Sequence, residues 1–244
     1  MRLSLPHNAH QGNAPLVLDL PEDWQVTYYP LPGDSWLPLS DADIRSRLEH
    51  PIGSLPLSQL AQGKKRVCIV FDDISRGTPT HRMARAVLDI LLESGIQKEN
   101  IEFLCALGTH GAHDLQDHIA KLGPDIVHEY PVYNHNCYEN TVSLGKTSRG
   151  VDVRINQEYV RADLRIGLGA VTPHTMNGFG GGGKLLFPGI ASIDTIAQNH
   201  RTATDFLREH QLNSSKMTGN LEMRGMREEI EEMTRMALPF FKVD

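Results

Sequence analysis

Between residues 66 and 107 the chain alternates in a way that few folds accommodate. Arg66-Val67-Cys68-Ile69-Val70-Phe71 is a continuous β-favouring apolar run behind its leading arginine, with no polar residue at alternate positions to face water. Such a run predicts a strand buried on both faces. A polar loop follows, Asp72-Asp73-Ile74-Ser75-Arg76-Gly77. Thr78 is expected to cap a helix that has Pro79 at its first position. Met83, Val87, Ile90 and Leu91 recur at helical spacing behind it, up to Gly95. Residues 101–107 read as a second buried strand. Parallel strands need a crossover of roughly a dozen residues, usually a helix. The pattern therefore predicts an α/β fold, with a Rossmann-like parallel or mixed sheet and helices on both faces.

Residues 164–168 form a further apolar run that feeds directly into a glycine-rich segment. Other strand candidates are 17–20, 25–29, 141–144 and 151–155, and a short helix is expected over 113–122. Near the end, residues 222–237 form an amphipathic helix with Met223, Met226, Ile230 and Met233 on one face. Residues 238–243 then open something strand-like. This suggests a division into an α/β domain carrying the site, residues 1–220, and a connecting segment, 221–244, that begins a second domain absent from the sequence.

The 244 residues carry a net charge of -6, with 40% hydrophobic and 22% charged side chains. Phosphate-backbone recognition is built on an excess of Lys and Arg, so nucleic acid is an improbable main partner. No apolar run approaches the roughly 20 residues needed to span a bilayer, and the first residues lack the apolar core of a signal peptide. The three cysteines, Cys68, Cys105 and Cys137, are widely spaced and form no CxxC pair. Together these features predict a cytoplasmic protein with free thiols.

Loops follow the ends of three predicted strands: Asp72–Arg76, Thr109–His110 and Thr172–Lys184. In open α/β sheets that edge is where ligands bind, so these loops are expected to converge on one site. The third contains Gly180-Gly181-Gly182-Gly183-Lys184. Four glycines together are entropically unfavourable, which points to a ligand rather than the fold as their reason. The segment nearly matches a P-loop, but Leu185 has no hydroxyl for Mg²⁺. Its backbone amides remain candidates for a phosphate cradle, which keeps open a non-catalytic phosphate- or nucleotide-binding module. Lys184 is a candidate covalent anchor or nucleophile. His110 and His174 suit a pair exchanging proton-acceptor and proton-donor roles across a substrate. Arg76, with Asp72 and Asp73, is placed to fix a polar substrate, since arginine grips carboxylates through two parallel hydrogen bonds. His200 is a candidate metal ligand, and a hydrolase metal site built from His110, His174 and His200 is a further alternative. His113, Asp114 and His118 read as helix-surface residues without a role.

Taken in order, Asp72-Asp73-Ile74-Ser75-Arg76-Gly77-Thr78-Pro79, Leu107-Gly108-Thr109-His110, Pro173-His174 through Gly182-Gly183-Lys184, and Gln198-Asn199-His200 resemble the nickel-dependent lactate racemase family. The resemblance covers most of the chain from about residue 65 and implies the N-terminal domain of a two-domain α/β protein. It implies a nickel pincer nucleotide, made by separate maturation proteins and held covalently on Lys184, with His200 as the protein ligand to nickel. The glycines Gly180, Gly181, Gly182 and Gly183, with Asp72 and Thr78, would serve cofactor binding, and Arg76 the substrate carboxylate. His110 and His174 would be the catalytic acid/base pair. The implied reaction is inversion at the hydroxyl-bearing carbon of a 2-hydroxy acid through transfer of hydride to the cofactor ring. Where family members commonly read Arg-Pro-Thr-Pro, this chain has Gly77. Where lactate enzymes commonly carry an arginine it has Gly111, which leaves room for a larger or differently charged acid.

Overall fold

The structure is a computed structural model that describes the chain except residues 6–13, 30–32, 34–35, 212, 214–215, 217 and 221–224. In chain order, β1 (Arg2–Leu5) and β2 (Leu16–Asp19) precede α1 (Asp41–Glu49) and α2 (Leu57–Ala61). The central region runs β3 (Val67–Asp72), α3 (Thr80–Glu93), β4 (Ile101–Ala106), α4 (Leu115–Leu122), α5 (Pro124–Glu129) and β5 (Val132–Asn134). Next come β6 (Thr141–Lys146), β7 (Asp152–Asn156), α6 (Gln157–Arg161), β8 (Leu164–Leu168), β9 (Pro173–His174), β10 (Gly178–Phe179) and α7 (Ile193–Glu209). Helix α8 (Gly225–Met236) and strand β11 (Phe241–Val243) complete the described elements.

The main sheet has the order β11-β8-β3-β4-β5, and every pairing in it is parallel. Every residue of β3 is buried, as its apolar run predicts. Alternate side chains feed two cores. Val67, Ile69 and Phe71 join Phe103, Ile166 and the apolar faces of α3, α4 and α5. Cys68 and Val70 join Leu104, Leu186, Phe187 and residues of β7, α7 and α8 on the opposite face. Both faces are thus covered, as a parallel sheet requires. The three cysteines are free and buried. Among the described residues no helix is long and apolar enough to cross a membrane.

Several expectations are corrected. Residues 25–29 form no strand: β-propensity expresses packing on a half-buried pleated surface, and here Tyr28 and Tyr29 are exposed. The strand candidates 141–144 and 151–155 are borne out as β6 and β7, which pair antiparallel with each other outside the main sheet. Thr78 does not cap α3. The helix starts at Thr80 with Pro79 in the N-cap position, and the buried Thr78 hydroxyl donates to Asp72. Asp114 is the N-cap of α4, in a reciprocal capping box with Asp117, and His118 is buried rather than on the surface.

The expected start of the last helix, residues 222–224, lies outside the described residues. From Gly225 onward that helix is integral to the fold. Met226, Ile230 and Met233 are buried in the second core, α8 packs on α7, and β11 extends the sheet beside β8. Truncating the fully buried Ile230 to alanine should therefore lower stability by about 2–5 kcal/mol in denaturant unfolding. A negligible change would mean that α8 is only loosely attached.

Candidate active site

The strand order creates the site. From β3 the chain steps to β4 and β5 on one side, then crosses to β8 and β11 on the other. The loops leaving the carboxyl ends of β3 and β8 consequently diverge and open a crevice between them. A cavity of about 190 Å³ lies there. Its wall takes Asp72 from the end of β3, Asp73 and Arg76 from the loop that follows, and Gly108 to His110 from the loop after β4. The segment after β8 supplies Thr172, His174, Asn177, Gly180, Gly181 and Lys184, while α7 supplies His200 and β11 supplies Lys242. The three loops do converge.

His110 and His174 sit in contrasting environments. The Nδ1 of His110 lies 2.5 Å from the Asp73 carboxylate, whose side chain is only 6% exposed. Burial pushes the Asp73 carboxyl up. Hydrogen bonds from the Ser75 hydroxyl, His110 and the Ser75 amide outweigh it, holding Asp73 below the usual carboxylate range. An ionised carboxylate only accepts hydrogen bonds, so His110 donates from Nδ1, and the neutral ring carries its lone pair on Nε2. His174 is the reverse. Its Nδ1 accepts from the Met176 amide at 3.1 Å, which leaves the ring proton on Nε2. Burial, with the neighbouring charges of Lys184, Arg76 and His200, pushes His174 down to about 4, so it is neutral at pH 7. In their neutral forms one imidazole thus presents a lone pair at Nε2 and the other an N–H.

Lys184 is pushed down to about 7 by burial and by the adjacent guanidiniums of Arg76 and Arg227. At neutral pH a large share of this amine is uncharged and nucleophilic. His200 donates from Nδ1 to the Ile196 carbonyl at 2.8 Å, because a carbonyl can only accept. Its Nε2 lone pair is left for a metal, in the arrangement that ligating histidines use. Among the described residues no group of three or more His, Cys, Asp or Glu stands ready to hold a metal. The alternative of a metal site built from His110, His174 and His200 thus lacks its ligand set among the described residues.

The glycine run is largely a matter of folding, contrary to expectation. Gly181 and Gly182 have φ of +73° and +56°, and a Cβ on Gly183 would come within 2.1 Å of the Thr234 hydroxyl on α8. Only Gly180 and Gly181 line the cavity. The Gly180 amide donates to the Thr172 carbonyl at 2.6 Å and the Gly182 amide to Asp244 at 2.9 Å. These donors are already engaged, which weakens the phosphate-cradle alternative.

Asp72 and Thr78 are also committed elsewhere. Asp72 pairs at 2.8 Å with Lys121, which is fully buried, and accepts the Thr78 hydroxyl. Lys121 also donates to the Arg76 carbonyl at 2.9 Å and so ties α4 to the Arg76 loop. Thr78 does not line the cavity. Sequence reasoning passed over Lys121, although it adjoins Leu122 and lies one turn beyond His118 on the buried side of α4. It also missed Lys242, whose ammonium meets Asp244 at 2.6 Å, and Asn177. The sequence offers no local signal for either.

A doubly wound α/β domain with paired histidines and a buried amine at its switch point defines the class of protein. Within that class, residues 11–211 match the lactate racemase N-terminal domain model, and the chain belongs to that family. It is 35% identical over 218 residues to a lactate racemase of Thermoanaerobacterium thermosaccharolyticum, covering 86% of this chain and 49% of that protein. It is 33% identical over 197 residues to one of Lactiplantibacillus plantarum, covering 80% and 45%. Its fold matches the lactate racemase apoprotein structure from T. thermosaccharolyticum with a TM-score of 0.71 at 30% identity, over 96% of this chain and 54% of that one. A crystal structure of a Thermotoga maritima protein, 24% identical, shares the fold with a TM-score of 0.66. The chain spans about half the length of these relatives.

The depressed Lys184 amine yields a direct check. Its rate of modification by an amine-selective reagent should rise with pH through a midpoint of about 7. Arg76→Met should move that midpoint upward, because it removes a positive charge that disfavours the ammonium. A wild-type midpoint near the ordinary lysine value would contradict this geometry.

Proposed function

We propose that this chain is the cofactor-bearing half of a racemase or epimerase that inverts the C2 carbon of a 2-hydroxy acid, lactate or a related acid. The observation that carries the reading is the pair of oppositely protonated imidazoles, His110 and His174, on one cavity with the Lys184 amine.

The residues suit a nickel pincer nucleotide. Lys184 offers an uncharged amine for covalent attachment, His200 offers Nε2 to nickel, and Gly180 and Gly181 permit close approach of the ligand to backbone. Soft sulfur donors with one imidazole suit Ni(II). When bound, that group would supply reversible acceptance of the C2 hydrogen as hydride, which makes removal of a very weakly acidic proton unnecessary.

The chain's own residues do the rest. Arg76, carried on the loop held by Lys121, pairs with the substrate carboxylate and fixes the acid's orientation. His110 accepts the hydroxyl proton at Nε2. The buried Asp73 carboxylate keeps the ring in the accepting tautomer and favours the imidazolium once it forms. His174, neutral at rest, offers its Nε2–H as a hydrogen-bond donor on the other side and returns a proton only from the imidazolium form. The reverse direction requires the two rings to exchange roles, so each must be able to lose and regain its proton.

Co-expression with the cofactor maturation proteins tests this by intact mass and nickel content, readouts that need no turnover. Wild type should gain mass and about one nickel per chain, and Lys184→Ala neither. In loaded protein that turns over, His110→Ala or His174→Ala should each lower racemisation by about 10²–10⁴-fold. A Lys184 left unmodified after co-expression would contradict the proposal.

A further inference from the structure

Asn177 is 2% exposed, it lines the cavity, and neither its carboxamide oxygen nor its nitrogen has a hydrogen-bond partner. Buried polar side-chain atoms are nearly always paired, because an unpaired amide loses its bonds to water and gains nothing in return. His118 Nδ1 is the other such orphan among the described residues, but His118 packs edge-on against Phe71 and is not among the cavity-lining residues. Asn177 closes the turn between β9 and β10, whose register sets Gly178 opposite His174. The orphaned amide is therefore in the same turn as the proposed proton donor.

The surroundings narrow the chemistry that suits this amide. Asp73 is committed to His110 and Ser75, Asp72 to Lys121, and Lys242 to Asp244. The charged group that recognises a carboxylate lies elsewhere on the wall, at Arg76. A neutral carboxamide offers an acceptor beside a donor, which matches a hydroxyl that donates to the oxygen and accepts from the nitrogen.

We propose that Asn177 is a ligand-contact residue that hydrogen-bonds a hydroxyl group of the bound molecule, other than the hydroxyl at the reacting carbon. Two sources share that chemistry. One is a 2-hydroxy acid with a second hydroxyl, such as 2,3-dihydroxypropanoate, whose CH₂OH reaches the amide where the methyl of lactate cannot. The other is the ribose of a bound mononucleotide. The class of ligand rests on the function proposed above, whereas the orphaned amide does not.

The test uses the full chain, Asn177→Leu, which is nearly isosteric and apolar, and Asn177→Ala, which avoids overfilling. Without ligand, replacement relieves an unpaired buried amide. The better tolerated of the two variants should match wild type or exceed its Tm by ~2–4 °C. Binding is then measured by calorimetry with lactate, 2,3-dihydroxypropanoate and nicotinic acid mononucleotide as separate probes. A substrate source predicts that wild type favours the dihydroxy acid over lactate by about three- to tenfold and that both variants lose the preference. A ribose source predicts an equal loss for the mononucleotide alone. The proposal is overturned if both variants lower Tm by several degrees without ligand, which would mean an internal partner for the amide. It is also overturned if neither variant differs from wild type toward any probe. Failure of the racemase reading would appear instead as an unmodified Lys184 in the loading experiment, with the ligand-free stability result unaffected.

Discussion

Strand β3 is hydrogen-bonded to a parallel neighbour on each edge and buried on both faces, and the site depends on that constraint. A strand so enclosed has no freedom of register, since a slip of one residue would turn its two apolar sets toward the wrong cores. Its carboxyl end is accordingly a fixed point. Asp72 is its last residue and Asp73 the first of the loop. The chain's crossing from one side of β3 to the other then leaves the crevice in which the loops meet.

Ion pairs beneath the loops extend that rigidity into the cavity. Lys121 and Asp72 form a buried pair, which is a poor way to gain stability because desolvation offsets most of the attraction. What the pair supplies is geometry. It joins the end of β3 to α4 and, through the Arg76 carbonyl, to the loop that carries Arg76. Asp73, next in sequence, is thereby left to orient His110. The electrostatic result is a cavity in which burial and neighbouring cations hold His174 neutral and leave a large share of Lys184 uncharged near neutral pH. Acid–base and covalent chemistry near neutral pH both depend on groups poised in that way.

Much of this was legible in the sequence, for physical reasons that also mark where legibility ends. The runs of β3, β4 and β8 announce themselves because burial on both faces demands unbroken apolar residues. The convergence of the loops carrying Arg76, His110, His174 and Lys184 follows from their places after strand carboxyl ends once a β-α-β unit is recognised, whereas His200, on helix α7, was tied to the site only by the family resemblance. β11 was legible as a strand-like stretch within residues 238–243 but its place was not, because a three-residue strand depends on a distant partner, β8. The choice between Asp72 and Asp73 was equally hidden. The turn in which the Ser75 amide and hydroxyl both bond Asp73 decides which carboxylate faces His110, and two adjacent aspartates look alike in sequence. The glycines were attributed to a ligand, whereas Thr234 on a helix about fifty residues away sets the need at Gly183.

The central claim is that one cavity holds an accepting and a donating imidazole. Long-range ¹H–¹⁵N spectra of the histidine rings at pH 7, assigned with His110→Ala and His174→Ala, test it most directly. The account predicts opposite tautomers, with His110 protonated at Nδ1 and His174 at Nε2, and His174 remaining neutral well below pH 6. The same tautomer on both rings, or a charged His174 at neutral pH, would contradict it.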